Sequence, residues 1–187
     1  MKDHLYNIEK ALKSIGKDYF KTPSITNKPF HLERVFAYEF YHQLRLLYDD
    51  SKHFVHGELG KRQQFFPLNR KATVYPDIII HSLSNSYQDN SVVIEIKSGP
   101  RIKVRQLIDD LSKLKDYTNQ KSASLKYKKG IFLIINCNFK EYFSSRRKGS
   151  QSEILSYLKE ERIEIWNIDI GYNLSKYDKK NNYKIIS

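Results

Sequence analysis

The sequence predicts one α/β domain, with a mixed central sheet whose faces are covered by helices. Three observations predict it. Apolar residues recur at helical spacing in some segments and run almost continuously in others, giving the order helix, three strands, helix, strand, helix, strand. The second and third strand candidates flank a polar, turn-like stretch from Ser82 to Asn90, as in a hairpin. A helix then separates the third and fourth, as an αβ crossover requires. At 187 residues the chain is long enough for one real core and short for two.

Asp3 to Ile15 is a short helix on Leu5, Ile8, Leu12 and Ile15, stopped by Gly16. Lys17 to Lys28, with Pro23 and several Ser, Thr and Asn residues, is a loop. A stronger helix runs from Phe30 to Tyr48, with Phe36, Phe40, Leu44 and Leu47 on one face. Phe54 to Leu59 is a first strand, weakened by Gly57. Thr73 to His81 and Ser91 to Lys97 follow, both dense in β-branched residues. Arg101 to Thr118 is a helix on Val104, Leu107, Ile108, Leu111 and Leu114. Gly130 to Cys137 is a buried strand, because it is apolar almost throughout. Ser150 with Glu153 makes a capping box for a helix to Lys159, and Arg162 to Ile170 is a last full strand. Tyr183 to Ile186 is a candidate edge strand in a polar, basic tail. One domain, 1–187, is expected, with a core over about 30–137 and a C-terminal αβ extension over 138–187.

Composition narrows the partners. The formal charge is +12, which favours polyanions such as nucleic acid or an acidic membrane surface. Lys supplies 24 of the 33 cations in a chain rich in Asn, Ile and Tyr, a mix that AT-biased coding also produces. The only cysteine, Cys137, excludes an internal disulfide and a thiolate zinc site and fits a reducing cytoplasm. No signal-like run opens the chain, and none approaches the ~18–20 apolar residues that span a bilayer. The six His residues show no pair at metal-ligand spacing on a common element, so structural or surface roles are expected.

The chemistry concentrates in one strand. The pattern (D/E)-x-K occurs at Asp50/Lys52, Glu95/Lys97 and Asp178/Lys180, but only the second lies inside an apolar strand. There Val93, Glu95 and Lys97 share one face and Val92, Ile94 and Ile96 the other. A carboxylate and an ammonium in such a strand are costly unless they are paired or hold a metal. Asp77 follows Pro76 at the head of Ile78-Ile79-Ile80. An antiparallel register opposing Asp77 to Glu95 also opposes His81 to Ser91 and sets two carboxylates roughly 5 Å apart. Their repulsion calls for a shared proton or a divalent cation. Mg²⁺ takes one or two carboxylates together with waters and phosphate oxygens. Lys97, on the same face, is placed to orient a water or neutralise phosphorane charge.

Pro76-Asp77, 17 residues, then Glu95-Ile96-Lys97 resembles the signature of the PD-(D/E)XK, or restriction-endonuclease-like, phosphodiesterases. The surrounding elements are similar to their αβββαβ core. Glu33-Arg34, Gly57-Glu58-Leu59 with Lys61-Arg62, and Asp110 to Leu114 extend the likeness to a small bacterial branch over about 30–137. The resemblance implies a Mg²⁺-dependent nuclease, with Mn²⁺ as substitute; DNA is the leading substrate, and RNA stays open because nothing in the sequence distinguishes the sugar. Asp77, Glu95 and the Ile96 carbonyl would hold the metal, and Lys97 would assist the nucleophile. A glutamate of the first core helix often joins such sites. Helical periodicity places Glu33 and Glu39 on either flank of the apolar arc and leaves them tied, and the Glu-Arg pair favours Glu33. Glu58 is a further candidate ligand. The alternative is a non-cleaving nucleic-acid-binding subunit of the same fold, and either reading admits a homodimer or a larger defence or repair complex. Arg101, Lys103 and Arg105, with Arg146 and Arg147, are expected to contact phosphates. Asp109, Asp110, Lys113 and Asp116 are expected on a solvated helix face, with Lys113 also a phosphate contact.

Overall fold

A computed structural model describes residues 1–21, 33–49, 52–57, 76–82, 90–99, 102–119, 126–159, 162–169 and 171–176, and the backbone alone of 177, 184 and 185. Among these, helix α1 (Lys2–Ser14) and a 3₁₀ turn (Lys17–Tyr19) precede α2 (Glu33–Arg45). Strands β1 (His53–Gly57), β2 (Ile78–Ser82) and β3 (Asn90–Ser98) follow. Then come α3 (Val104–Thr118), β4 (Lys129–Ile135), α4 (Phe139–Ser144) and α5 (Lys148–Leu158). The chain closes with β5 (Ile163–Ile168), β6 (Leu174–Tyr177) and β7 (Lys184–Ile185).

The seven described strands form one sheet in sequence order. β1, β2 and β3 pair antiparallel; α3 carries the chain over to a parallel β4, and α4 and α5 carry it to a parallel β5. β6 and β7 add antiparallel at the far edge. A mixed α/β sheet flanked by helices was the expectation, and it is what the chain forms.

Both faces of the sheet are buried, which explains the near-continuous apolar runs in β3 and β4. One face, with Val55, Ile78, Ile80, Ile94, Ile96 and Leu133, packs beneath α1 and α2 through Ile8, Leu12, Phe36, Phe40 and Leu44. The other, with Ile79, Val93, Phe132, Ile134 and Ile165, packs beneath α3 to α5 through Leu107, Leu111, Leu114, Phe139 and Ile154.

Several boundaries differ from the sequence reading. The β2–β3 register opposes Ile78 to Ile94 and Ile80 to Val92, as expected, but a bulge then opposes His81 to Asn90 rather than to Ser91. β4 ends at Ile135 because Asn136 takes a left-handed conformation (φ 56°), where its side-chain amide donates to the Phe20 carbonyl at 2.8 Å. Helix α5 begins at Lys148 with Arg147 as an N-cap that makes no side-chain bond, so Ser150 and Glu153 do not form the expected capping box. Helix α4 and strand β6 were not foreseen. α4 has a sequence signal after all: the Asn138 side chain accepts from the Glu141 N–H, the cap that an Asn three residues before a Glu announces. β6 has none, because Leu174-Ser175-Lys176-Tyr177 is short and mostly polar.

Candidate active site

The carboxyl end of β3 meets the start of β2, the end of β1 and the first turn of α2, and the chemistry gathers there. The β2–β3 ladder begins at Ile78 opposite Ile94, so Asp77 stands just ahead of it and is not paired with Glu95 through the backbone; instead its Oδ2 accepts the Ile96 N–H at 2.6 Å. A side-chain carboxylate thus takes a main-chain donor of β3 and is tied to the strand that carries Glu95 and Lys97. Glu95 is 3% exposed, on the sheet face that also buries Val93 beneath α3. Its Oε1 is buried and has no hydrogen-bond partner. Burying a carboxylate oxygen without a donor is costly, so some cation or proton is called for at this point.

The titration of the two acids carries the same message. Burial raises the Glu95 carboxyl to about 8, and the neighbouring Asp77 charge adds to the rise, against the opposing pull of Lys113 and Lys97. Burial likewise raises Asp77 to about 6, although its bond from Ile96 and the Lys97 charge work against that. Both acids are raised chiefly by burial, with the Asp77 charge adding to the rise at Glu95, so they bind protons where ordinary carboxylates have released them.

Lys97 points into the same cluster. Its ammonium lies 3.5 Å from Glu33 Oε1 and 3.4 Å from Asp110 Oδ2. Burial pulls its pKa down, but Asp110, Glu33, Asp77 and Glu95 together outweigh that and raise it, so Lys97 is charged. Glu33, the first residue of α2, also accepts the Ser98 N–H on Oε2 at 3.1 Å, which fastens the helix start to the end of β3. Of the two tied glutamates, then, the structure brings Glu33 to the cluster. Glu39 accepts instead from Gln43 on its own helix, at 2.7 Å.

Asp110 corrects the sequence reading. It was expected on a solvated face, yet it is 3% exposed, with Lys113 donating to its Oδ1 at 2.6 Å and Lys97 near its Oδ2. The signal was present: Leu107, Asp110, Leu111 and Leu114 are spaced as one buried helical stripe, and the carboxylate occupies a stripe position. Asp109 and Asp116 are exposed, as expected. Lys113 is half-exposed and engaged by Asp110, whose hydrogen bond and charge raise its pKa against the opposing effect of burial.

Of the remaining candidates, Ile96 borders the cluster. Ile96 turns its side chain into the opposite core while its N–H holds Asp77. Lys103 caps α3, and Arg105 and Arg147 are exposed. Arg146 lies over the Tyr142 ring, 4.4 Å from its centroid, and its Nε donates to the Tyr142 carbonyl. Glu58 and Arg101 fall outside the described residues. Histidines pair across strands (His56 Nδ1 is 2.9 Å from His81 Nε2), and burial first, then the nearby His53, pushes His4 down to about 4. Among the described residues no three His, Cys, Asp or Glu side chains group as a metal-ligand set, and no described helix is long and apolar enough to cross a membrane. No protein-family model matches the chain, and neither does any curated protein or solved structure.

Proposed function

We propose that this chain is a Mg²⁺-dependent nuclease with a restriction-endonuclease-like core, hydrolysing phosphodiester bonds in DNA in the cytoplasm. The observation that carries the reading is the Asp77–Glu95 pair, two raised carboxyls on adjacent strands with Lys97 on the same cluster. The described order α2-β1-β2-β3-α3-β4 supports the core, and the charge of +12 supports the polyanionic substrate.

A hard divalent cation fits the residues present. Glu95 Oε1 lacks a hydrogen-bond donor, and two carboxylates are what Mg²⁺ takes when waters and phosphate oxygens complete its shell. Asp77 and Glu95 would hold it, with Mn²⁺ as substitute. When bound, the ion supplies Lewis-acid polarisation of the phosphate and makes water more acidic. The protein's own contribution is positional. The Ile96 N–H fixes the Asp77 carboxylate, and the β3 backbone fixes Glu95 beside it. Lys97 presents a permanent positive charge where negative charge develops on the phosphoryl oxygens, and it orients the attacking water. Glu33 and Asp110 keep its ammonium at the cluster.

The test is incubation of the protein with linear, circular and single-stranded DNA and with RNA, each with Mg²⁺ or EDTA. Cleavage of DNA is expected with Mg²⁺ and none with EDTA, and Asp77→Asn or Glu95→Gln should abolish it in a folded protein. Undiminished cleavage by folded Glu95→Gln would overturn the assignment. Binding without cleavage under every condition would point to a non-cleaving subunit.

A further inference from the structure

A cleft of about 340 Å³ opens directly beside Asp77, between α2 and the ends of β1 and β2. One helical face supplies its wall: Arg34, Tyr38 and Tyr41 follow at i, i+4 and i+7, with Ala37 between them. Gly57, His56 and Ile78 close it from the sheet, and Asp77 forms its boundary with the acidic pair. Tyr38 is 63% exposed, so its ring is open to a ligand and anchors no core. At Gly57 an added Cβ would meet only the Asp77 carbonyl at 3.5 Å and the Tyr41 ring at 3.8 Å. A side chain there would fit the backbone but fill the cleft, so the glycine keeps it open.

The volume lies at the small end of the range for ligand pockets, and its lining includes two tyrosine rings and one arginine. Flat aromatic walls beside an arginine suit a planar base attached to a phosphate, because every nucleobase offers a π-face and Arg pairs with phosphate oxygens. A base within a duplex is stacked on both faces and cannot enter such a cleft. We infer that the α2 cleft is a base-binding subsite that takes an unstacked nucleotide of a single-stranded or locally opened nucleic acid, adjacent to the phosphodiester at Asp77. This rests on the nuclease reading for the identity of the neighbouring phosphate, but base binding itself requires neither metal nor cleavage.

That independence sets the experiment. Binding of a labelled ten-residue single-stranded thymidine oligonucleotide is measured by fluorescence anisotropy in EDTA, against an abasic deoxyribose-phosphate oligomer of the same length. The proteins are the full chain and its Tyr38→Ala, Tyr38→Phe and Gly57→Val variants, with folding checked by circular dichroism. Tyr38→Ala and Gly57→Val should each weaken the base-bearing strand by about 5- to 150-fold, the range for one lost stacking contact. They should leave the abasic strand within about twofold, and Tyr38→Phe should behave as wild type. Tyr38 is exposed and removing its ring threatens no core, so at least one informative variant folds. Equal loss on both strands, or no loss on either, overturns the subsite. Base-dependent loss in a protein that cleaves nothing with Mg²⁺ keeps the subsite and overturns the nuclease reading; DNA cleavage with unaltered base binding in both variants does the reverse.

Discussion

Glu95 states the central problem at the scale of one residue, a carboxyl in a strand interior with an oxygen that no donor reaches. Burial and Asp77 lift its pKa from 4.5 to about 8, and burial lifts Asp77 from 3.8 to about 6. Between those values the folded protein holds protons that the unfolded chain has released. The stability these groups contribute is therefore full below about pH 4 and is lost as pH rises through 6 and then 8. Each pH unit between the two pKa values of a group weighs about 1.4 kcal/mol, so Glu95 alone carries a penalty of several kcal/mol at high pH. Glu95→Gln removes that penalty. In EDTA at pH 8.5 its Tm should exceed wild type, while at pH 4 the two should coincide. A divalent cation favours the ionised pair, so Mg²⁺ should raise the wild-type Tm more at pH 8.5 than at pH 6 and leave Glu95→Gln unmoved. Thermal unfolding across that pH range checks all three signs, and a Glu95→Gln protein less stable than wild type at pH 8.5 would mean that the carboxylate is compensated within the chain. Asp110 is the matching case on the cationic side. Replacing it with Asn keeps the shape and removes the charge that holds Lys97 and Lys113. Turnover should fall roughly ten- to hundredfold, the scale for groups that orient a reacting one, with KM little changed. Steady-state kinetics decide it, and unaltered turnover would make Asp110 a structural partner only.

Between elements, the contact that matters is the start of α2 on the end of β3. Glu33 accepts from the Ser98 N–H with one oxygen and faces Lys97 with the other, so it joins the helix to the strand through the site. Glu33→Gln keeps an acceptor for Ser98 and removes the charge opposite Lys97. It should lower turnover and raise the Mg²⁺ concentration for half-maximal cleavage, with a Tm close to wild type. Glu39→Gln disturbs only the bond to Gln43 and should leave the metal titration unchanged. A shift in Glu39→Gln but not Glu33→Gln would reverse the choice between them. That choice marks what the sequence could and could not reveal. Strand alternation placed Glu95 and Lys97 on one face, and a constant index sum of 172 opposed Ile78 to Ile94 correctly, because both follow from the period of a strand. The bulge at His81 was illegible, since one extra residue in a polar connection leaves the apolar pattern intact. Periodicity alone left Glu33 and Glu39 tied, since a helical wheel gives direction around an axis but not which neighbour lies along it. Asp110 differs for another reason: the sequence reading sets it away from the apolar stripe, whereas the structure buries it within that stripe between Leu107 and Leu114.

Across the described residues, helices cover both faces of the sheet, which leaves the strand ends as places where a ligand gains access. The carboxyl ends of β3 and β4 are the usual location of a site in a sheet with parallel neighbours, and Lys97 lies at the first of them. The acidic pair there sits within a chain of net charge +12, which reverses the local sign over a longer range. On the proposed reading, the net positive charge would draw a polyanion in, and the carboxylates would accept it only with a divalent ion between them. Two origins remain for the excess of lysine: phosphate binding and coding composition. Salt dependence separates them. Each phosphate neutralised on duplex DNA releases counterions and adds about −0.9 to the slope of log affinity against log salt, so binding through several lysines and arginines must be steeply salt-dependent. Asp77→Asn in Ca²⁺ isolates binding from cutting, and anisotropy titrations between 50 and 200 mM salt, on the order of a fourfold range, give the slope. A slope steeper than about −3 would show at least three phosphate contacts and make the charge functional. A flat line, or no binding to any nucleic acid, would assign the +12 to composition and leave the cluster at Asp77 and Glu95 without its proposed substrate.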